Sequence, residues 1–270
     1  MTDSLLGKQT ENPRSYAPEI LRPVPRIDNR NLLDISAELP FAGVDVWHAY
    51  ELSWLNSEGL PQAVMGRFIF KCESPNLIES KSLKLYLNSL NQEKYSDQHE
   101  VLQIIARDLS ACAGSEVTVE LFSLQEEAML AGKENGYCLD QEKISAGDYQ
   151  PDKTLLESDS SSVVEESLYS NLFRSNCPIT GQPDWATITV GYRGPKISRA
   201  SLLAYLVSYR MYNGYHEDCV EKIFMDISTR CKPEALTVQA NFLRRGGLDI
   251  NPVRSSLPVQ TDQFRRFIRQ

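Results

Sequence analysis

Two parts of this chain repeat one another, and the repeat limits the folds open to it more than any other feature. His99-Glu100 returns as His216-Glu217, Asp108-Leu109-Ser110 as Asp226-Ile227-Ser228, and Cys112 as Cys231. Val117-Thr118-Val119 and Leu236-Thr237-Val238 stand at the same distance past their cysteines. In the first copy, alternation and turn residues predict a hairpin of strands 44–55 and 63–71 joined through Asn56-Ser57-Glu58-Gly59. Helices follow at 82–90 and 101–112, the latter with Val101, Ile104, Ile105 and Leu109 at helical spacing, and then a strand at 117–122. The second copy reads as a returning strand at 185–192, helices at 202–209 and 216–231, and a last strand at 235–242. Two strand-strand-helix-helix-strand units mean an α+β fold built by duplication.

The expected organisation is a proline-rich arm over 1–43, extended on the surface, with Pro13, Pro18, Pro23, Pro25 and Pro40. A first module over 44–150 comes next. A polar linker over 151–163, centred on Ser158-Asp159-Ser160-Ser161-Ser162, joins it to a second module over 164–270. A net charge of -8 argues against nucleic acid as a direct partner, which would need basic patches. No apolar run approaches the roughly 20 residues of a membrane span, and the first residues have no hydrophobic signal core, so a cytoplasmic, membrane-free protein is expected. The six cysteines are scattered without C-x-x-C pairs and the histidines number three, so no metal site is expected.

The stretch richest in chemistry is Ser175-Asn176-Cys177-Pro178-Ile179-Thr180-Gly181-Gln182-Pro183-Asp184. Pro178, Gly181 and Pro183 forbid a helix, so the loop folds back and carries Cys177 toward Asp184. A thiol beside a carboxylate pairs a nucleophile with a proton carrier. The ordinary alternative is a small buried cysteine and a turn aspartate, the commoner case for an isolated cysteine. Other candidates have ordinary readings too. In Glu79-Ser80-Lys81-Ser82, Ser80 is expected to cap a helix whose free N–H groups, with Lys81 and Lys84, suit a phosphate; plain capping with solvated lysines explains the same residues. Glu217 suits a helix start on electrostatic grounds alone, yet its carboxylate also fits a planar N–H/NH2 edge such as guanine's. Arg244-Arg245-Gly246-Gly247 allows close backbone approach and bidentate phosphate contact, or is a basic loop on an acidic protein.

Together these residues resemble a known family, the long two-module NADPH-dependent 7-cyano-7-deazaguanine reductases. The motif Glu79-Ser80-Lys81-Ser82-Leu83-Lys84-Leu85-Tyr86 matches the family pattern without departure. The cysteine loop, His216-Glu217 and Arg244-Arg245-Gly246-Gly247-Leu248-Asp249-Ile250-Asn251-Pro252 look alike as well. The resemblance implies tandem tunnelling-fold modules, antiparallel sheets backed by helix pairs, and a homodimer. It implies four-electron reduction of the substrate's nitrile to an amine with NADPH as cosubstrate, in tRNA queuosine biosynthesis. By the same resemblance Cys177 attacks the nitrile to give a thioimide, Asp184 gives the proton, and His216 shields or orients the reacting group. Ile78, Glu79, Ser80, His216 and Glu217 would hold the deazaguanine, and Ser80, Lys81, Arg245 and Gly246 the NADPH. The alternatives are a non-catalytic purine-binding module of this fold and a cysteine-dependent purine or pterin hydrolase.

Overall fold

The computed structural model describes residues 12–35, 38–126, 131–144, 147, 149–260 and 266–270. They fall into two compact units, drawn from Met1–Asn31, Asp45–Leu130 and Arg244–Ile250 in one case, and from Leu32–Val44, Ala131–Leu243 and Asn251–Gln270 in the other.

In the first unit β2 (Ala42–Leu55, counted here from Asp45) and β3 (Pro61–Lys71) form the expected hairpin, and β5 (Val117–Phe122) adds on the far side of β3. The β3–β5 ladder is antiparallel, from Met65↔Phe122 to Phe70↔Val117. Helices α2 (Ser80–Ser89) and α3 (Gln98–Ala113) cover this sheet. Trp47, Trp54, Phe68 and Phe70 from the strands pack with Leu83, Tyr86, Val101, Ile105 and Leu109 from the helices in one core. Helix α3 starts where Asp97 accepts the Glu100 N–H at 2.9 Å, and it stops at Gly114, whose φ of 71° suits a residue without a Cβ.

The second unit opens with the two-residue strand β6 (Tyr137–Cys138) and repeats the pattern with β7 (Ser158–Asn176), β8 (Pro183–Ile197), α4 (Arg199–Ser208), α5 (His216–Cys231) and β9 (Ala235–Phe242). Its ladders β7–β8 and β8–β9 are antiparallel. β10 (Leu248–Ser255) runs along β9 from Val253↔Gln239 to Ser255↔Thr237. The duplication reaches individual hydrogen bonds. Tyr86 Oη donates to Asp108 at 2.7 Å in one copy and Tyr205 Oη to Asp226 at 2.7 Å in the other. Ser89 and Ser208 each donate to the carbonyl three residues back, of Tyr86 and Tyr205, at 2.6 Å. The chain is an α+β protein of tandem tunnelling-fold modules.

Three expectations are corrected. The arm is not an extended surface segment: residues 18–32 hold a 3-10 turn, the short strand β1 (Pro23–Pro25) paired with β4 (Asn76–Ile78), and helix α1 (Ile27–Leu32). Arg26 is buried and donates to Asp45 at 2.6 Å, and Leu21 joins the core of the first unit, so a buried ion pair and apolar packing together hold this part down. Residues 1–11 lie outside the described part. The serine run expected in a linker lies within β7: Ser158 and Asp159 pair with Ile197 and Lys196 of β8, the register shifts across Ser160–Ser162, and pairing resumes at Val163↔Pro195. In the shift Ser161 N–H donates to Asp159 Oδ1 at 2.9 Å, and composition does not reveal the flanking pairs. The strand at 235–242 is not the last one, since β10 follows. All eight β10 residues are buried although Asp249, Asn251, Arg254 and Ser255 are polar, so it lacks the alternation that marks a strand. Arg254, fully buried, donates through Nε and an NH2 group to Glu221 at 3.0 and 2.9 Å.

Candidate functional site

The β7–β8 register sets the two ends of the cysteine loop. Ser175 lies opposite Asp184, and Asn176 opposite Pro183 closes the ladder. Cys177 is the first residue beyond β7, where the loop begins. The connecting loop is closed by Cys177 N–H to the Gln182 carbonyl at 2.8 Å and by Gly181 N–H to the Cys177 carbonyl at 3.0 Å. Gly181 turns at φ 67°, a conformation few side chains tolerate. Both Cys177 and Asp184 are buried.

Helix α5 delivers the next group. Its approach is zipped to the hairpin by Asn176 N–H to the Tyr212 carbonyl at 2.8 Å and Gly214 N–H to the Asn176 carbonyl at 3.1 Å. His216, the first helical residue, then sets Nε2 3.4 Å from Asp184 Oδ2. Its ring stacks on Phe242, centroids 3.8 Å apart and planes 14° apart, while buried Nδ1 has no hydrogen-bond partner among the described residues. Glu217 is buried beside it. Cys219, one turn on, is fully buried, and that burial, with the charges of Asp218, Asp184 and Glu217, pushes its thiol far above the ordinary 9.0. The first copy's equivalent dipeptide has diverged: His99 is exposed and Glu100 serves as a helix-start acceptor for Ser96.

In the first unit, Ile78 and Glu79 are buried at the junction of β4 and α2. The helix cap is Glu79 and not Ser80, which is already helical. The Glu79 carboxylate accepts from Lys81 N–H at 3.1 Å and Ser82 N–H at 3.0 Å, because its longer side chain reaches back over the first turn. Burial raises the Glu79 carboxyl above its ordinary 4.5, and the two N–H donors with Lys81 and Arg22 oppose that rise. The turn Arg244–Gly247 lies in the same unit, closed by Arg245 N–H to the Leu248 carbonyl at 2.8 Å. Tyr50 N–H donates to the Gly247 carbonyl at 2.9 Å, and the Arg244 guanidinium sits 4.0 Å from the centre of the Tyr50 ring. A Cβ on Gly246 would stand 3.2 Å from Lys84 Nζ, so this turn and α2 bring cationic groups together. Lysine, arginine, a glycine turn and a helix start form a donor set that fits the phosphates of NADPH. Among the described residues no group of three or more His, Cys, Asp or Glu side chains could hold a metal ion.

Sequence reasoning missed Phe242, the stacking partner of His216, and the buried network beneath the arginine turn. There His48 Nδ1 lies 2.8 Å from Asp249 Oδ1, and Tyr50 Oη donates to the other Asp249 oxygen. Position 242 looked like any apolar strand residue, and no local pattern links residues 48 and 249.

Comparison with known proteins follows the same division. A family model described as the N-terminal part of a nitrile reductase, 7-cyano-7-deazaguanine reductase, matches residues 12–121, and one described as QueF-like protein matches 183–260. Two relatives are named NADPH-dependent 7-cyano-7-deazaguanine reductase. One, from Dechloromonas aromatica (strain RCB), is 51% identical over 99% of this chain and 95% of its own length. The other, from Coxiella burnetii (strain Dugway 5J108-111), is 50% identical over 99% and 96%. The apo crystal structure of the archaeosine synthase QueF-Like covers 38% of this chain and 100% of its own, at 22% identity and a TM-score of 0.32, a likeness too slight to argue from. With half of its residues shared along almost the whole chain, the protein belongs to the family of NADPH-dependent 7-cyano-7-deazaguanine reductases.

Proposed function

We propose that this chain reduces the nitrile of 7-cyano-7-deazaguanine to the aminomethyl group through a covalent thioimide on Cys177, a step toward the queuosine of tRNA. The observation that supports this reading best is His216 Nε2 standing 3.4 Å from buried Asp184, at the far end of the tight loop that starts at buried Cys177. A nitrile is a poor hydride acceptor, and adding sulfur to its carbon makes a better one. Cys177 gives its proton to Asp184 and forms the S–C bond while one C–N π bond opens. Asp184 returns the proton to nitrogen, which completes a neutral thioimide. When bound, NADPH supplies one hydride in each of two successive reductions, with a proton taken up each time. Between them the C–S bond breaks as the nitrogen lone pair forms C=N, so Cys177 leaves as thiolate and a protonated imine remains; the proton of the second reduction returns to the thiolate. Burial of the site, with the Phe242 ring against His216, keeps water from that imine.

By the family resemblance, Ile78, Glu79 and Ser80 in the first unit and His216 and Glu217 in the second are proposed as residues that contact the base, and the Glu79 and Glu217 carboxylates are buried. Ser80, Lys81, Arg245 and Gly246 hold the NADPH phosphates. A homodimer and module limits of 44–150 and 164–270 belong to the same proposal. The test follows NADPH loss at 340 nm with the nitrile base for wild type and Cys177→Ala. Oxidation of about two NADPH per nitrile, lost in Cys177→Ala together with the thioimide absorbance, is expected. Wild type that binds the base and leaves NADPH untouched overturns the reading.

A further inference from the structure

Gln270 occupies a place that chain folding alone does not require. It is buried, and its side-chain amide uses all four of its hydrogen-bonding positions. Oε1 accepts from Asn241 Nδ2 at 3.2 Å and from Phe267 N–H at 2.8 Å. Nε2 donates to the Phe242 carbonyl at 3.0 Å and to Asn251 Oδ1 at 2.6 Å. Asn241 also donates to Asn251 at 3.2 Å, and Gln239 donates to Asn241 at 2.9 Å. The β9–β10 ladder ends at Val253↔Gln239, so this chain of amides begins where backbone pairing on that side of β9 stops. Gln270 therefore supplies a bond to the Phe242 carbonyl at the strand end whose ring carries His216.

We infer that Gln270 is a positioning residue for His216: it holds the end of β9 so that Phe242 keeps His216 facing Asp184. The inference rests on the proposed reduction for its catalytic consequence, though not for the geometry it describes. On that side the Phe242 carbonyl accepts from Gln270 Nε2, while on the other side Phe242 lies opposite Ala186 of β8. A buried carbonyl left without a donor pulls its residue toward another partner, and the ring would move with it.

The test uses the full chain with Gln270→Ala, and Gln270→Met as a variant that keeps the volume but cannot donate. With saturating NADPH and nitrile base, kcat is expected to fall about 10- to 100-fold, the scale of a ~1 Å misplacement, while both KM values stay within about twofold. Independently, the His216 ring protons, shifted upfield by the Phe242 stack and resolvable among three histidines, are expected to move downfield in the proton NMR spectrum. Variants whose His216 signals and kcat match wild type, with only the unfolding midpoint lowered, overturn the inference. A wild type inactive on the nitrile refutes the function, whereas unmoved His216 signals refute the role of Gln270.

Discussion

Replacing Glu79 by Gln separates two roles that the structure stacks on one side chain. The carboxylate caps α2 through Lys81 and Ser82 N–H at 3.1 and 3.0 Å, and the proposed function also has it accept from the base. Gln keeps the shape and one acceptor. Weakening the cap costs at most about 0.5–2 kcal/mol. The sign of the charge effect runs the other way. Glu79 has a raised carboxyl in the folded protein, so the unfolded chain releases its proton first as pH rises from 4.5. Stability from this group is therefore lost through that window, and Gln removes the loss. At neutral pH the unfolding midpoint should move by no more than roughly 2–4 °C for each kcal/mol left over. Binding has no such compensation: hydrogen bonds to a charged acceptor contribute about 1.5–3 kcal/mol, which raises KM for the nitrile base roughly 10- to 150-fold. Steady-state kinetics across pH give the decisive signature. Wild-type KM should rise as pH falls through the raised Glu79 value, above 4.5, and the variant's should show no such limb. A midpoint lower by many degrees with KM unchanged would mean that Glu79 is a helix cap and nothing more.

Gly247→Ala places a Cβ at φ 80°, 2.6 Å from the Glu51 carboxyl carbon. Strain of about 1–2 kcal/mol in the arginine turn should raise KM for NADPH roughly 5- to 30-fold while thioimide absorbance still forms; unchanged NADPH kinetics would remove this turn from cofactor binding. Arg254→Met takes the guanidinium from buried Glu221 and should cost about 3–5 kcal/mol in denaturant unfolding, most of it recovered in Arg254→Met/Glu221→Met. Equal losses in the single and double variants would count against the pairing. Cys219, with its thiol pushed up by burial, should resist alkylation at pH 8 until the chain is unfolded, as mass spectrometry of the labelled peptides would record. Labelling of Cys219 in the native protein would contradict that environment.

Local signals read well from residues alone. Helices α3 and α5, strand β5 and the first hairpin were legible because their periodicity or turn chemistry lies within a few residues. The duplication was legible because related copies keep residues such as Asp108 and Asp226 for the same bond to a tyrosine. Cys177 and Asp184 were readable as the two ends of one tight loop, which closes through Cys177 N–H to the Gln182 carbonyl. What only the tertiary structure decided depends on partners distant in sequence. The serine run fell within β7 because β8 pairs on both sides of it, and β10 buries polar residues because Glu221 and the Asn241–Gln270 amides meet them. Glu79 displaced Ser80 as cap through the reach of its side chain. His216 gained its stacking wall from Phe242, whose carbonyl accepts from Gln270. Local patterns record which elements form, because backbone preference and side-chain spacing act over a few residues. Long-range packing decides which polar groups are buried and how they are satisfied, and no local pattern encodes that.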